Sequence, residues 1–152
     1  KNELGGSVYY ELNNELGKNV PEPDLKEVKN QIFALIDCIN CGLVLSCHDI
    51  SDGGIACALS EMTFENQIGA NIKIDSELRE DQALFSETGG FLLEIEKSSL
   101  IKIRSIFSNY GLNVFKIGKT NNSNQLIINK CINISLKKTT QAWTNGLRDK
   151  LK

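Results

Sequence analysis

The sequence predicts an α+β domain in which helices cover a mixed β-sheet. A long amphipathic segment after Asp24 is typical of a helix, because apolar residues recur there at helical spacing. The run Phe91–Ile95 is apolar enough for a buried strand, and the stretch from Leu112 to Leu136 contains short strand-like runs separated by turn residues. Helical and strand segments do not alternate strictly, which favours α+β over a regular parallel α/β fold.

Capping and helix-breaking residues set the predicted boundaries in the first half of the chain. Ser7 is expected to cap a helix that Gly17 ends, and Asp24 forms a capping box with Glu27. The elements expected there are a helix from Ser7 to about Leu16, a helix from Asp24 to Gly42, a strand Leu43–Cys47, a helix from Ile55 and a strand Ala70–Ile74.

The second half is expected to supply most of the sheet. Thr120–Asn124 is predicted to be a hairpin-like turn, and Trp143 and Leu147 are predicted to anchor a closing helix in the core. The elements expected there are an irregular or briefly helical segment Glu77–Phe85, a strand Phe91–Ile95, a helix Ser98–Tyr110, strands Leu112–Gly118, Gln125–Asn129 and Cys131–Leu136, and a helix from about Lys138.

Length and charge indicate one domain, residues 1–152, and exclude two partner classes. With 152 residues, 41% of them hydrophobic, the chain can bury one ordinary core. Its formal net charge of −2, with Lys and Arg scattered among acidic residues, argues against a nucleic-acid partner. No apolar run approaches the length of a membrane span, and the N-terminal residues lack a basic region followed by an apolar stretch, so no membrane association and a cytoplasmic location are expected. Because the first residue is Lys1, we expect a piece of a longer chain.

The five cysteines are expected to be reduced thiols. Cys38-x-x-Cys41 followed by Cys47-His48 can be written as a zinc site with three cysteines and one histidine. Cys38 and Cys41 fall in the last turn of a strongly periodic helix, however, whereas the close pair of a zinc knuckle lies on a turn. A small buried hydrophobic residue is therefore the favoured interpretation of such a cysteine.

The residues around which the chain is organised are His48–Gly54, a polar loop between a strand and a helix. Such a junction points backbone N–H groups and the positive end of the helix at whatever lies above it, which suits a phosphate. Asp49 and Asp52 could hold the Mg²⁺ that accompanies a polyphosphate. The alternative is an ordinary strand-to-helix turn, because Asp, Ser and Gly also cap helices and tolerate positive φ angles.

Three blocks carry a resemblance to a known family. They are Leu4-Gly5-Gly6-Ser7-x-Tyr9, His48-Asp49-Ile50-Ser51-Asp52-Gly53-Gly54 and Leu84-Phe85-Ser86-Glu87. Together they resemble the last synthetase-type domain of the phosphoribosylformylglycinamidine synthases, in the aminoimidazole ribonucleotide synthetase superfamily, over essentially the whole chain. The resemblance implies a three-layer α/β/α domain with a mixed sheet. Hydrogenase maturation and selenophosphate synthetase proteins share the glycine-rich loop but generally lack the first block.

The resemblance also implies a reaction and a set of site residues. The family converts ATP, formylglycinamide ribonucleotide and glutamine-derived ammonia to the amidine, ADP and phosphate. By analogy Asp49 would be a Mg²⁺ ligand and Ser51 would touch a phosphate of ATP or ADP, with the amides of Gly53 and Gly54 near the anion. No catalytic residue is expected in this chain, so it would be inactive alone. Its implied partners are preceding synthetase-type domains of the same chain and a glutaminase domain or subunit.

Three further side chains have two interpretations each. His48 could be a general base, but an imidazole hydrogen-bonded beside the strand end is favoured. Glu87 could orient a substrate or metal, or it could be a solvated or capping group. Glu61 is expected to be structural. For the whole chain the alternatives are a purely structural packing module and a phosphotransfer domain of the same superfamily.

Overall fold

The structure, a computed structural model, describes residues 1–64 and 68–150, except for the side chains of 147–150. The helices are α1 (Val8–Leu12), α2 (Leu25–Asn40), α3 (Gly54–Glu61), α4 (Glu80–Phe85), α5 (Leu100–Asn109) and α6 (Leu136–Lys150), with a 3₁₀ turn at Lys97–Ser99. The strands are β1 (Ser46–Asp49), β2 (Gly69–Ile72), β3 (Phe91–Glu94), β4 (Gly118–Asn121), β5 (Gln125–Ile128) and β6 (Ile132–Ser135). Most predicted elements are present, with boundaries displaced by a few residues.

The strands form two hydrogen-bonded groups. β1 and β3 pair antiparallel, and the other four strands follow the order β4-β2-β5-β6. Within the second group β2 runs parallel to β5, whereas the β2–β4 and β5–β6 pairs are antiparallel. The α+β class and the mixed character of the sheet are therefore confirmed.

Two hydrophobic clusters lie on opposite faces of the β1–β3 pair. Leu92 belongs to a cluster with α3 and the four-stranded sheet, whereas its neighbour Leu93 packs against a second cluster between α2 and α5. Successive side chains of a strand point to opposite faces, so β3 contributes to both clusters. One face of the strand pair therefore packs on α2 and α5, and the other packs on α3 and the four-stranded sheet.

The predicted hairpin between the fourth and fifth strands is wrong. Residues 122–124 do connect β4 to β5, but β2 lies between these two strands. The loop crosses closely over the start of β2, where a Cβ on Gly69 would fall less than 3.0 Å from the carbonyl oxygens of Ser123 and Gln125. Sequence proximity suggested direct pairing, and the missing side chain at Gly69 is what permits the crossing.

The predicted strand Leu112–Gly118 is also wrong, because β4 begins only at Gly118. Leu112 and Val114 instead pack against the cluster between α2 and α5. Side-chain packing, not a strand ladder, thus accounts for the apolar residues of this segment. The amide of Lys73 donates to the carbonyl of Ile117 at 2.6 Å, just before β4 starts.

The first helix is shorter than predicted. α1 ends at Leu12, and the chain turns back through positive φ angles at Asn14 (56°) and Gly17 (71°). The returning segment accepts hydrogen bonds from the amides of Gly5 and Gly6, each at 2.8 Å. The expected capping role of Ser7 is confirmed, since its hydroxyl oxygen accepts from the Tyr10 amide at 3.3 Å.

A capping side chain precedes α2, and a buried side chain begins α6. The Asp24 carboxylate accepts from the amides of Lys26 and Glu27, as predicted for the start of α2. In α6 the buried anchor is Leu136, whereas Trp143 is 66% exposed and its ring lies against the ring of Phe64. The prediction that Trp143 is a core residue is therefore wrong, and the side chain of Leu147 lies outside the described residues. Within the described ranges, no helix combines the length and apolar character needed to cross a bilayer.

Candidate functional site

The turn that joins β1 to α3, from Asp49 to Gly54, is called here the Asp49–Gly54 loop. Backbone hydrogen bonds hold it in a tight conformation. The amide of Gly54 donates to the carbonyl of Ser51 at 2.9 Å, and the amide of Ile50 donates to the carbonyl of Gly90 at 2.9 Å. Gly53 and Gly54 have φ angles of 76° and 65°. Two consecutive left-handed residues favour glycine strongly, which explains the pair in the sequence.

The outer side of the loop presents polar side chains to solvent. Asp49 is the last residue of β1 and its side chain is 64% exposed, while Ser51 and Asp52 are exposed beside it. An exposed carboxylate next to a hydroxyl suits Mg²⁺, because this ion takes one or two protein carboxylates and completes its shell with water and phosphate oxygens. Among the described residues there is no cluster of three or more His, Cys, Asp or Glu that could hold a metal unaided. The donor set therefore fits an ion shared with a phosphate.

The inner side of the loop rests on the segment Leu84–Gly90. A Cβ on Gly54 would lie 2.7 Å from the carbonyl oxygen of Leu84 and 2.8 Å from backbone atoms of Phe85, so only glycine fits there. The amide of Gly53 donates to Oε1 of Glu87 at 2.7 Å. Both glycine amides that the sequence associated with a bound anion thus have partners within the chain, and for Gly53 that partner is itself an anion.

Glu87 joins the three sequence blocks in space. Its Oε1 accepts from the amide of Val8 at 3.0 Å as well as from the amide of Gly53. Tyr9 stacks on Phe85, with ring centroids 4.6 Å apart and planes inclined by 9°. The side chain of Glu87 is partly buried, and one of its hydrogen bonds reaches the first residue of α1. Of the two earlier interpretations of Glu87, the capping group is the closer one. The link to the loop was missed, because a sequence shows no contact between residues 34 positions apart.

His48 joins β1 to α3. Its Nδ1 lies 2.6 Å from the carbonyl oxygen of Asp49, and its Nε2 lies 3.0 Å from Oε2 of Glu61. Both neighbours are acceptors, so both ring nitrogens donate only when the ring is protonated. The hydrogen bond to the Asp49 carbonyl, followed by the contact with Glu61, raises the pKa of His48 above its ordinary value. Both ring nitrogens are therefore engaged by acceptors within the chain, so the hydrogen-bonded structural role is favoured over the general base.

The cysteines do not assemble into a zinc site in the described part of the chain. Cys38 lies on α2 and is fully buried against α5, and this burial raises the pKa of its thiol. Cys41 and Cys47 are exposed. The interpretation of Cys38 as a small buried hydrophobic residue agrees with this position.

The candidate site presents Asp49, Ser51 and Asp52 on an exposed surface. Two surface depressions, of about 570 and 510 Å³, lie along β6 and beside β2 respectively. Their walls contain none of the residues of the Asp49–Gly54 loop. A ligand on this loop would therefore be exposed on one side unless another domain covered it.

Comparison with known proteins agrees with the resemblance seen in the sequence. Residues 2–130 match the family model described as AIR synthase related protein, C-terminal domain. A curated relative, the phosphoribosylformylglycinamidine synthase subunit PurL of Methanothrix thermoacetophila, is 30% identical over 156 aligned positions. The alignment covers 99% of this chain and 20% of the relative. The chain thus spans about 20% of the length of that relative.

Solved structures confirm the fold. The structure of PurLQS from Thermotoga maritima superposes with a TM-score of 0.70 at 16% identity, covering 84% of this chain and 23% of that one. T. maritima PurL complexed with ATP superposes with a TM-score of 0.66 at 16% identity, covering 74% of this chain and 21% of that one. The fold of this chain is therefore shared with part of those structures, at low sequence identity.

Proposed function

We propose that this chain works as one domain of a phosphoribosylformylglycinamidine synthase. The chain belongs to the family of AIR synthase related C-terminal domains. The reaction would be the ATP-dependent conversion of formylglycinamide ribonucleotide and glutamine to the amidine, ADP, phosphate and glutamate, a step of purine biosynthesis. The named function of the PurL relative supports this assignment. The three sequence blocks support it too, since they meet at one place in the fold.

The part played by this chain would be to present the Asp49–Gly54 loop to a magnesium-bound nucleotide. Asp49 would be the metal ligand and Ser51 would contact a phosphate. Gly53 and Gly54 would lie near the anion and provide the turn that brings these side chains to the outer side. The bound ion would supply positive charge that offsets the charge of the phosphates. The observation that carries the proposal is the 64% exposed carboxylate of Asp49 on a loop whose inner side is fixed.

The remaining machinery would come from partners. Since the chain spans about 20% of its PurL relative, residues 1–152 would be a single C-terminal domain within a longer chain. Preceding synthetase-type domains would cover the open side of the loop and supply the catalytic groups, and a glutaminase domain or subunit would supply ammonia. The chain alone would then have no ligase activity.

A structural packing module without nucleotide is the second candidate. It is favoured by the internal partners of the two glycine amides, because these leave fewer free donors for a phosphate. In that case the loop would serve only to connect β1 to α3.

Calorimetry with Mg·ADP on the chain separates the two candidates. We expect weak binding, with Asp49→Asn weakening it by about tenfold or more because a charged metal ligand is lost. The matched control is Asp75→Asn, a similarly exposed aspartate outside the loop that pairs with Lys73. Absence of binding at millimolar Mg·ADP, or equal affinity in both variants, would favour the packing module.

A further inference from the structure

We infer that Glu87 is the positioning residue of the Asp49–Gly54 loop and fixes the direction in which Asp49 and Ser51 face. The inference rests on the proposed function for what the loop presents, and it adds the residue that holds the loop in place. The hydrogen bonds of Glu87 come from backbone amides on the inner side, so it would act on a ligand through the loop.

A single carboxylate oxygen of Glu87 accepts hydrogen bonds from two separate segments of the chain. Oε1 accepts from Gly53 at 2.7 Å and from Val8 at 3.0 Å. Hydrogen bonds from amides to an ionised carboxylate are stronger than neutral ones, each contributing more than a typical backbone bond. Gly53 is the residue at which the loop turns into α3, so fixing its amide fixes the exit of the loop.

The other end of the loop is fixed by the same segment. Ile50 donates to the carbonyl of Gly90, three residues beyond Glu87, and Gly54 lies against the backbone at Leu84 and Phe85. Of these contacts, the bond to Glu87 is the one that a side chain supplies. It is therefore the one that a substitution can remove without altering the backbone path.

The charge of Glu87 has a second consequence. Its carboxylate already lies at the start of the eight-residue helix α3, where the positive end of the helix favours an anion. Asp49 and Asp52 add two further carboxylates on the loop itself, and the described ion pair of Asp49 is with His48. A free polyphosphate would be repelled there, so a nucleotide should bind from the outer side together with a divalent cation.

Amide hydrogen exchange measured by NMR on the chain tests the positioning role without any ligand. We expect Glu87→Ala to speed exchange of the Gly53 and Val8 amides by about tenfold or more, because both lose a charged acceptor. Glu87→Gln keeps a neutral acceptor oxygen and should stay within about fivefold of the parent chain. If Glu87→Ala fails to fold, Glu87→Asp, whose shorter side chain cannot reach both amides, replaces it.

Ser86→Ala is the matched control for a general loosening of the fold. The Ser86 hydroxyl donates to the carbonyl of Lys1 at 3.1 Å and accepts from the amide of Glu3 at 3.4 Å, so it holds the N-terminal segment but not the loop. With Mg·ADP as the probe, Glu87→Ala should weaken binding by about tenfold, whereas Ser86→Ala and Glu87→Gln should not.

The outcomes distinguish this inference from the proposed function. Unchanged exchange at Gly53 in Glu87→Ala would overturn the inference, and so would equal weakening of Mg·ADP binding by Ser86→Ala. Faster exchange at both amides in a chain that does not bind Mg·ADP would support Glu87 as the residue that positions the loop and would overturn the nucleotide role. Tight binding of ADP without Mg²⁺ by the parent chain would contradict the repulsion argument.

Discussion

The outer and inner sides of the Asp49–Gly54 loop differ in solvent exposure and in the contacts that their residues make. On the outer side Asp49, Ser51 and Asp52 are exposed, and the Asp49 carboxylate lies 3.8 Å from Nδ1 of His48. On the inner side Gly53 and Gly54 are buried: the Gly53 amide binds the Glu87 carboxylate, and Gly54 lies against the backbone at Leu84 and Phe85. The outer side can therefore change its chemistry without changing the fold, whereas the inner side cannot.

This division arises from local constraints on the chain. Positive φ angles and close backbone contact leave no room for a side chain at Gly54, so that position can contribute only conformation. Asp49 ends a strand whose exposure pattern leaves its side chain open, so that position can contribute only chemistry. Each of the following substitutions tests one side of this division.

The largest expected effect is on the inner side. Gly54→Ala should lower the free energy of unfolding by about 3 kcal/mol, because it combines a left-handed backbone with overlap against Leu84 and Phe85. Gly42→Ala is the control, since Gly42 has a similar φ of 66° and nothing within 4 Å of a built Cβ. It should cost only about 1 kcal/mol. Urea unfolding of both variants gives the two values.

The difference between these two variants isolates the steric part of the effect. Equal destabilisation would mean that the segment Leu84–Gly90 moves away to admit a methyl group. In that case the inner side would be adaptable, and its contrast with the outer side would be lost.

The next effect concerns the outer side and should leave stability unchanged. Ser51→Ala should alter the free energy of unfolding by less than about 0.5 kcal/mol, because the side chain is exposed. If Ser51 contacts a phosphate, the same change should weaken Mg·ADP binding by about fivefold, the value of one ordinary hydrogen bond. Calorimetry and urea unfolding on the same preparation measure both quantities. A loss of stability without a change in affinity would assign Ser51 to the inner side instead.

The local elements could be predicted from the sequence, but their long-range pairing could not. Asp24 and Gly42 bound α2 because caps and left-handed residues act within one turn. The position of β2 between β4 and β5 depends on contacts between distant residues, and short spacing favoured the wrong pairing. The exposure of Trp143 was missed for a related reason. Helical spacing shows that a helix has an apolar stripe, but it does not show whether another element covers that stripe.

For the candidate site too, the residues that are contiguous in the sequence could be predicted, but the long-range contact could not. The residues of the outer side stand in one contiguous loop, so the sequence could name Asp49 and Ser51. Whether they bind a ligand stays a prediction. Glu87 reaches the loop from 34 residues away, and no local rule links a carboxylate to an amide at that distance. The resemblance of the three blocks was the available signal, because blocks that recur together often share a site.

The smallest expected effect is a pH dependence at the junction of the two sides. His48 binds the carbonyl of Asp49 and the carboxylate of Glu61, and these contacts raise its pKa in the folded chain above the ordinary 6.5. The folded state then holds its proton more tightly than the unfolded state does, so stability falls as pH rises through the folded pKa. The stabilisation is complete below about pH 6.5 and lost above the raised pKa.

The loss should be at most about 1 kcal/mol, since both partners are partly exposed to solvent. Urea unfolding at pH 6 and pH 8.5 measures it, and Glu61→Gln should reduce the difference because it removes the charged acceptor. A stability that rises over this interval would mean that His48 is neutral in the fold. One ring nitrogen would then lack a proton to donate, and the tie between Asp49 and α3 would be weaker than the geometry indicates.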